Sequence, residues 1–148
     1  MRWTSWGAMP EVCRVMGIVA RMLGIRRVDR RPEWRERLEG AATRLNALGL
    51  YPRPFTLARV AVVVWPGFFA VPGMRGFVGF AAWRLVILRR DVVGDGLLVH
   101  ELCHIWQMRH HPVRMPLTYL VVPYRTNPWE EEARMAAGEP SRLGGSGG

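Results

Sequence analysis

The chain has 148 residues, enough for one domain with a proper core. Hydrophobic residues make up 49% and charged residues 22%, a balance that excludes wholesale disorder. The net charge of +9 rests on 21 basic residues, every one an arginine, a bias that GC-rich codons produce without any selection for arginine chemistry.

Residues 11–25 carry Val12, Val15, Met16, Val19, Met22 and Leu23 at helical spacing, with Arg14 and Arg21 opposite. This predicts an amphipathic helix, packed on the core or lying on a membrane surface. Arg26, Arg27, Asp29, Arg30 and Arg31 follow as a charged connector, so residues 1–32 form an N-terminal unit of helix and basic linker. Glu33 to Leu48 form a second helix. Pro32 suits its first turn, Gly49 its C-terminal stop, and Trp34, Leu38, Ala41, Ala42, Leu45 and Leu48 its buried stripe. Glu33 and Arg37, four apart, are placed to pair across one turn.

After Tyr51-Pro52-Arg53-Pro54 the period changes. Arg59 to Trp65 is β-branched and nearly all apolar and predicts a buried strand. Pro66-Gly67 and Pro72-Gly73 mark turns, with Phe68, Phe69 and Val71 between them as core or exposed patch. Gly76 to Phe80 predict a short strand, and Arg84 to Arg89 a firmer one. The latter is either an ordinary core strand or the sheet edge at which an extended peptide adds. Asp95 is expected to cap a helix from Gly96 to His110, ended by Pro112. Residues 113–123 are apolar with two prolines and predict a short helix or packed loop. Asn127 then starts a last helix, with Pro128 at its first position and Glu130 in the capping-box position. The tail 141–148 is Gly/Ser-rich and expected to be flexible. Residues 33–140 make the core of an α+β fold.

The chemistry centres on His100-Glu101-Leu102-Cys103-His104, an HExxH pentad. Residues four apart on a helix share a face, so His100 and His104 aim two imidazoles at one point, as two ligands of Zn²⁺ require. Glu101 lies about a quarter-turn round, beside that point, where a general base belongs. Gln107 shares the histidine face, while Leu98, Leu102, Ile105 and Trp106 cover the opposite side. A helix apolar nearly all round is buried, and buried histidines need partners. A third ligand must come from elsewhere. Glu130, Glu131 and Glu132, at the start of the last helix, offer one carboxylate while the others face solvent. His110 and His111 are weaker candidates. Tyr124 is the first candidate to stabilise an oxyanion, ahead of Tyr119, His110 and Arg125. Cys103 points off the metal face as a small core residue.

HELCHIWQ followed by NPWEEEA resembles the minimal gluzincin metallopeptidases, which combine an HExxH helix with a glutamate helix. Residues 80–107 are also similar to the small metallopeptidase-like domain associated with extracellular contractile injection systems. The likeness covers roughly residues 76–138. It implies a zincin-like fold of N-terminal helices, small sheet, buried HExxH helix and glutamate helix. In related gluzincins the ligand glutamate opens an E-x-x-A-[D/N]-like segment, so the resemblance selects Glu130, with Arg134 standing where an acidic or amide residue is usual.

The expected activity is zinc-dependent hydrolysis of a peptide or protein substrate. Two other classes remain open. One is a basic nucleic-acid- or membrane-binding protein, and the other a metal-binding pseudoenzyme in an effector or assembly system. The arginines are spread along the chain, which argues against specific nucleic-acid recognition and leaves peripheral contact with an anionic membrane or an acidic protein. Two distant cysteines argue against a disulfide framework. No targeting segment stands out, and the expected location is cytoplasmic.

Overall fold

The computed structural model describes residues 9–140, with side chains from Met16 onward. Val12, Arg14, Val15 and the Gly/Ser tail, whose roles the sequence predicts, lie outside the described side chains. The elements run α1 (Met9–Met22), β1 (Arg26–Arg27), α2 (Pro32–Leu48), β2 (Ala61–Val64), a 3₁₀ turn (Pro66–Ala70), β3 (Gly79–Ala82), β4 (Leu85–Leu88), α3 (Asp95–His110), α4 (Arg114–Val121), a 3₁₀ turn (Tyr124–Thr126) and α5 (Pro128–Ala137). The fold is α+β, with five α-helices and a four-stranded mixed sheet among the described residues.

The strand order is β1-β2-β4-β3. The β-branched runs Ala61–Val64 and Leu85–Leu88 pair in parallel at the centre, Val62 opposite Val86 and Val64 opposite Leu88. Parallel strands need a long crossover, and residues 65–84 provide it. β3 returns antiparallel on β4, Gly79 opposite Leu88 and Ala82 opposite Leu85, so β3 is an edge. The strand just before α3 is therefore an ordinary core strand and not the edge. β3, one hairpin earlier, takes the edge position.

α3 is the hub. Every residue from Leu98 to Gln107 is buried, and the helix packs on α2, α5, β3 and β4. Its side chains join Trp34, Leu38, Ala41 and Leu45 of α2, Val62 and Val64 of β2, and Ala133 and Ala136 of α5 in one core. Gly49 closes α2 in the left-handed conformation that glycine adopts freely, φ 60°, its N–H bonded to Asn46 O.

Several expectations are corrected at the element ends. Gly94, not Asp95, occupies the N-cap position of α3. Asp95 is the first helical residue and accepts from Arg37 at 2.8 Å. Arg37 is thereby committed across α2 and α3, and no bond to Glu33 forms. The stretch expected to be a connector instead supplies β1 and the fully buried Val28. Asp29 accepts the Val62 N–H at 3.0 Å and so fixes the start of β2. The described end of α1 does not pack on the core: Met16, Ile18, Val19, Met22 and Leu23 are all exposed. Residues 114–121 form a helix, α4. No helix among the described residues is long and apolar enough to cross a membrane.

Candidate metal centre

α3 delivers His100 and His104 from one face, and the first turn of α5, crossing α3, delivers Glu130. The Nε2 atoms of the two histidines lie 3.1 Å apart. Glu130 Oε2 is 3.3 Å from His100 Nε2, and its Oε1 is 3.3 Å from His104 Nε2. All three residues are buried and together could hold a metal ion.

Three observations test that fit. Tetrahedral ligands at about 2.0–2.1 Å from a zinc ion are spaced about 3.3 Å from one another, which is the spacing found here. Glu130 Oε2 is buried without a hydrogen-bond partner, an orphan acceptor that a cation would satisfy. The third is the tautomer of His104. Gln107 Nε2 donates to Trp129 O at 2.9 Å and to Glu132 Oε1 at 3.2 Å, which fixes the amide and turns its Oε1 to His104 Nδ1 at 2.8 Å. Nδ1 must therefore carry a proton, and Nε2 is the nitrogen that faces the cluster. The residues fit a divalent metal.

The electrostatics favour a positive charge within the cluster. Burial alone would raise the Glu130 carboxyl, but His100 and His104 and the Tyr119 hydroxyl outweigh it and hold the group far below the usual carboxylate range. Burial lowers His104, yet Glu130, Glu101 and Gln107 carry it above its ordinary value. Glu101 is buried beside the cluster. Burial pushes its carboxyl up, His104 and His100 oppose this, and Glu130 adds to it.

The cluster and Glu101 open on a cavity of about 420 Å³. Its remaining walls are largely apolar: Phe77, Phe80, Trp83, Met108 and Met115, with the edge strand β3 along one side. Tyr124 and Tyr119 both reach it. Tyr119 donates to Glu130 Oε1 at 2.6 Å and so holds the carboxylate. Tyr124 is partly exposed on the wall and stacks edge-on against Phe77. Burial and then Glu130 raise both phenols well above their ordinary value, so both stay protonated donors.

The other candidates fall elsewhere. His110 donates from Nδ1 to Trp106 O at 3.0 Å and stacks on Tyr51, away from the cavity. His111 packs on Trp129, and Arg125 is exposed. Cys103 is fully buried in the core, where burial raises its thiol.

Glu131 and Glu132 do not face solvent as expected. Glu131 is buried with Arg134 at 3.6 Å, and Glu132 accepts from Tyr51 and Gln107. Nor does Glu130 close a capping box, because its carboxylate is turned to the histidines. Asn127 alone caps α5, accepting the Trp129 N–H at 3.0 Å. Sequence reasoning placed Gln107 on the histidine face but missed its part in fixing His104. The available signal was a buried amide three residues after a candidate ligand on an otherwise apolar helix.

A scan against protein-family models finds no match, and searches of curated proteins and of solved structures find none either. What the site does must follow from its own residues.

Proposed function

We propose that this chain is a zinc-dependent metallopeptidase of gluzincin type, built on a zincin-like fold. His100, His104 and Glu130 are its ligands, and Glu101 is its general base. The observation that carries this reading is a buried two-histidine, one-carboxylate cluster with a second, separate carboxylate beside it at the floor of a cavity. Two imidazoles and a carboxylate suit zinc, and three protein ligands leave one position open.

His100, His104 and Glu130 would hold the zinc ion, which when bound would supply Lewis acidity for a peptide carbonyl and an attacking water. Glu101, beside the cluster, would accept a proton from the attacking water on its carboxylate and pass it to the leaving amine. Tyr124 donates its hydroxyl hydrogen to the oxygen on which negative charge develops, while Tyr119 keeps Glu130 in place. An extended peptide is aligned along β3, whose outer edge carries no partner strand among the described residues.

The test is hydrolysis of a mixed peptide library by the zinc-loaded chain and by Glu101→Gln at equal zinc content. Cleavage by the native chain, lost by 10²-fold or more in the variant, on the order expected for removing a general base, supports the reading. A fully loaded native chain that cleaves nothing, or equal cleavage by both, overturns it.

A further inference from the structure

We infer that Gly79 is a positioning residue for Glu101: the missing side chain at 79 is the space that the carboxylate occupies. This rests on the reading of Glu101 as general base, but the contact can be tested without it.

Gly79 opens the edge strand β3, opposite Leu88 of β4. Alternate positions 79 and 81 are buried, whereas Phe80 between them is exposed. The two small residues let the strand approach α3 closely. A Cβ built at Gly79 would lie 2.8 Å from Glu101 Cδ and 3.1 Å from its Cγ, and would overlap Oε1 outright. Carbon atoms normally approach to about 3.5–4.0 Å. Any side chain here must therefore displace the carboxylate or the strand.

The strand has little freedom to retreat. It is bonded along β4, and Arg89 N–H extends the pairing to Val78 O at 3.0 Å. The carboxylate has little freedom too, since Glu101 is buried with His100, His104 and Glu130 around it.

Backbone conformation does not explain this glycine. The glycines with positive φ are Gly24, Gly49, Gly73 and Gly138, and Gly79 is not among them. A strand glycine with an ordinary backbone is less stable than alanine at the same place. Elsewhere a Cβ meets little. Most described glycines face open space, and at Gly67 and Gly138 it would meet only the side chains of Trp65 and Arg44. Gly79 is the described glycine whose missing Cβ makes room for a carboxylate of the candidate site.

A double-variant cycle in thermal melting tests the contact directly. Gly79→Ala is expected to lower Tm in the native background, and to leave it unchanged or raise it in a Glu101→Ala background, where the space is vacated. A crystal structure of Gly79→Ala should show the Glu101 carboxylate moved by on the order of 1 Å with His100, His104 and Glu130 in place, a shift that impairs catalytic geometry. In the zinc-loaded variant, kcat should fall by on the order of 10²-fold at unchanged zinc content and little changed KM.

An equal Tm change in both backgrounds, or a carboxylate that stays put while β3 shifts, would overturn the inference. A loaded native chain that hydrolyses nothing would defeat the proposed activity, while the melting cycle and the crystal structure would still decide the place of Gly79. Should Gly79→Ala fold only in the Glu101→Ala background, that result supports the contact.

Discussion

At the scale of single residues, the cluster depends on hydrogen bonds behind the ligands as much as on the ligands. Gln107 fixes the tautomer of His104 and is itself held by Trp129 O and Glu132. Gln107→Leu should weaken zinc binding by about 10–100-fold, as loss of a partner behind a metal histidine does. Competition with a chromogenic chelator measures it, and an unchanged affinity would remove Gln107 from the site. The two tyrosines should separate. Tyr119→Phe removes a bond to Glu130 and should weaken zinc binding, whereas Tyr124→Phe should keep zinc and lower kcat by about 10²-fold. Titration of zinc into each variant, followed by steady-state kinetics, distinguishes them. His100, His104 and Glu101 were legible because a helix fixes the directions of residues four apart. The space at Gly79 was not, because it depends on where a distant strand lies. Glu130 could be told from Glu131 and Glu132 only by resemblance, since all three suit a first helical turn.

At the scale of elements, the sequence places α2 and α3 nearly to their ends, leaves residues 113–123 open between helix and loop, and gives the sheet only in pieces. Valine-rich segments declare that they are strands, but nothing local declares their neighbours. The edge is therefore β3, although the sequence offers β4 for that place. The anchoring of β2 lay in a stretch that looked like a linker. Burial raises the Asp29 carboxyl, but Arg27 and the Val62 N–H outweigh it, and its folded pKa lies below its ordinary value. A depressed carboxyl contributes stability above its unfolded pKa of about 3.9 and loses it as pH falls through the lower folded value. Asp29→Asn should thus be less stable than the native chain near neutral pH, with the gap closing below about pH 4. Tm measured against pH for both chains shows whether it closes. Trp83, at the β3–β4 hairpin, is held at φ 55°, which strains a bulky residue. Trp83→Gly should raise stability by about 1 kcal/mol, read from denaturant unfolding, while removing an indole from the cavity wall. No gain would mean that the packing of the indole outweighs the strain.

At the scale of the whole molecule, the candidate metal site joins the two helices that meet at the centre, His100 and His104 from α3 and Glu130 from α5. A ligand that binds only the folded chain stabilises it by mass action, about 2.7 kcal/mol at a hundredfold excess over Kd. Zinc should therefore raise Tm in the native chain and have little effect in Glu130→Gln, and a chelator should reverse the rise. An equal response in both chains would place the zinc elsewhere. The overall class was legible from composition and period. The exposure of the described end of α1 was not, because an amphipathic pattern states that a helix has an apolar face without stating what covers it.

The measurement that bears most directly on the central claim is metal content by elemental mass spectrometry, on the purified native chain and on Glu130→Gln. Near-stoichiometric zinc in the native chain, lost in the variant, is the predicted result. A folded native chain that carries no zinc and takes up none when it is supplied would contradict the claim.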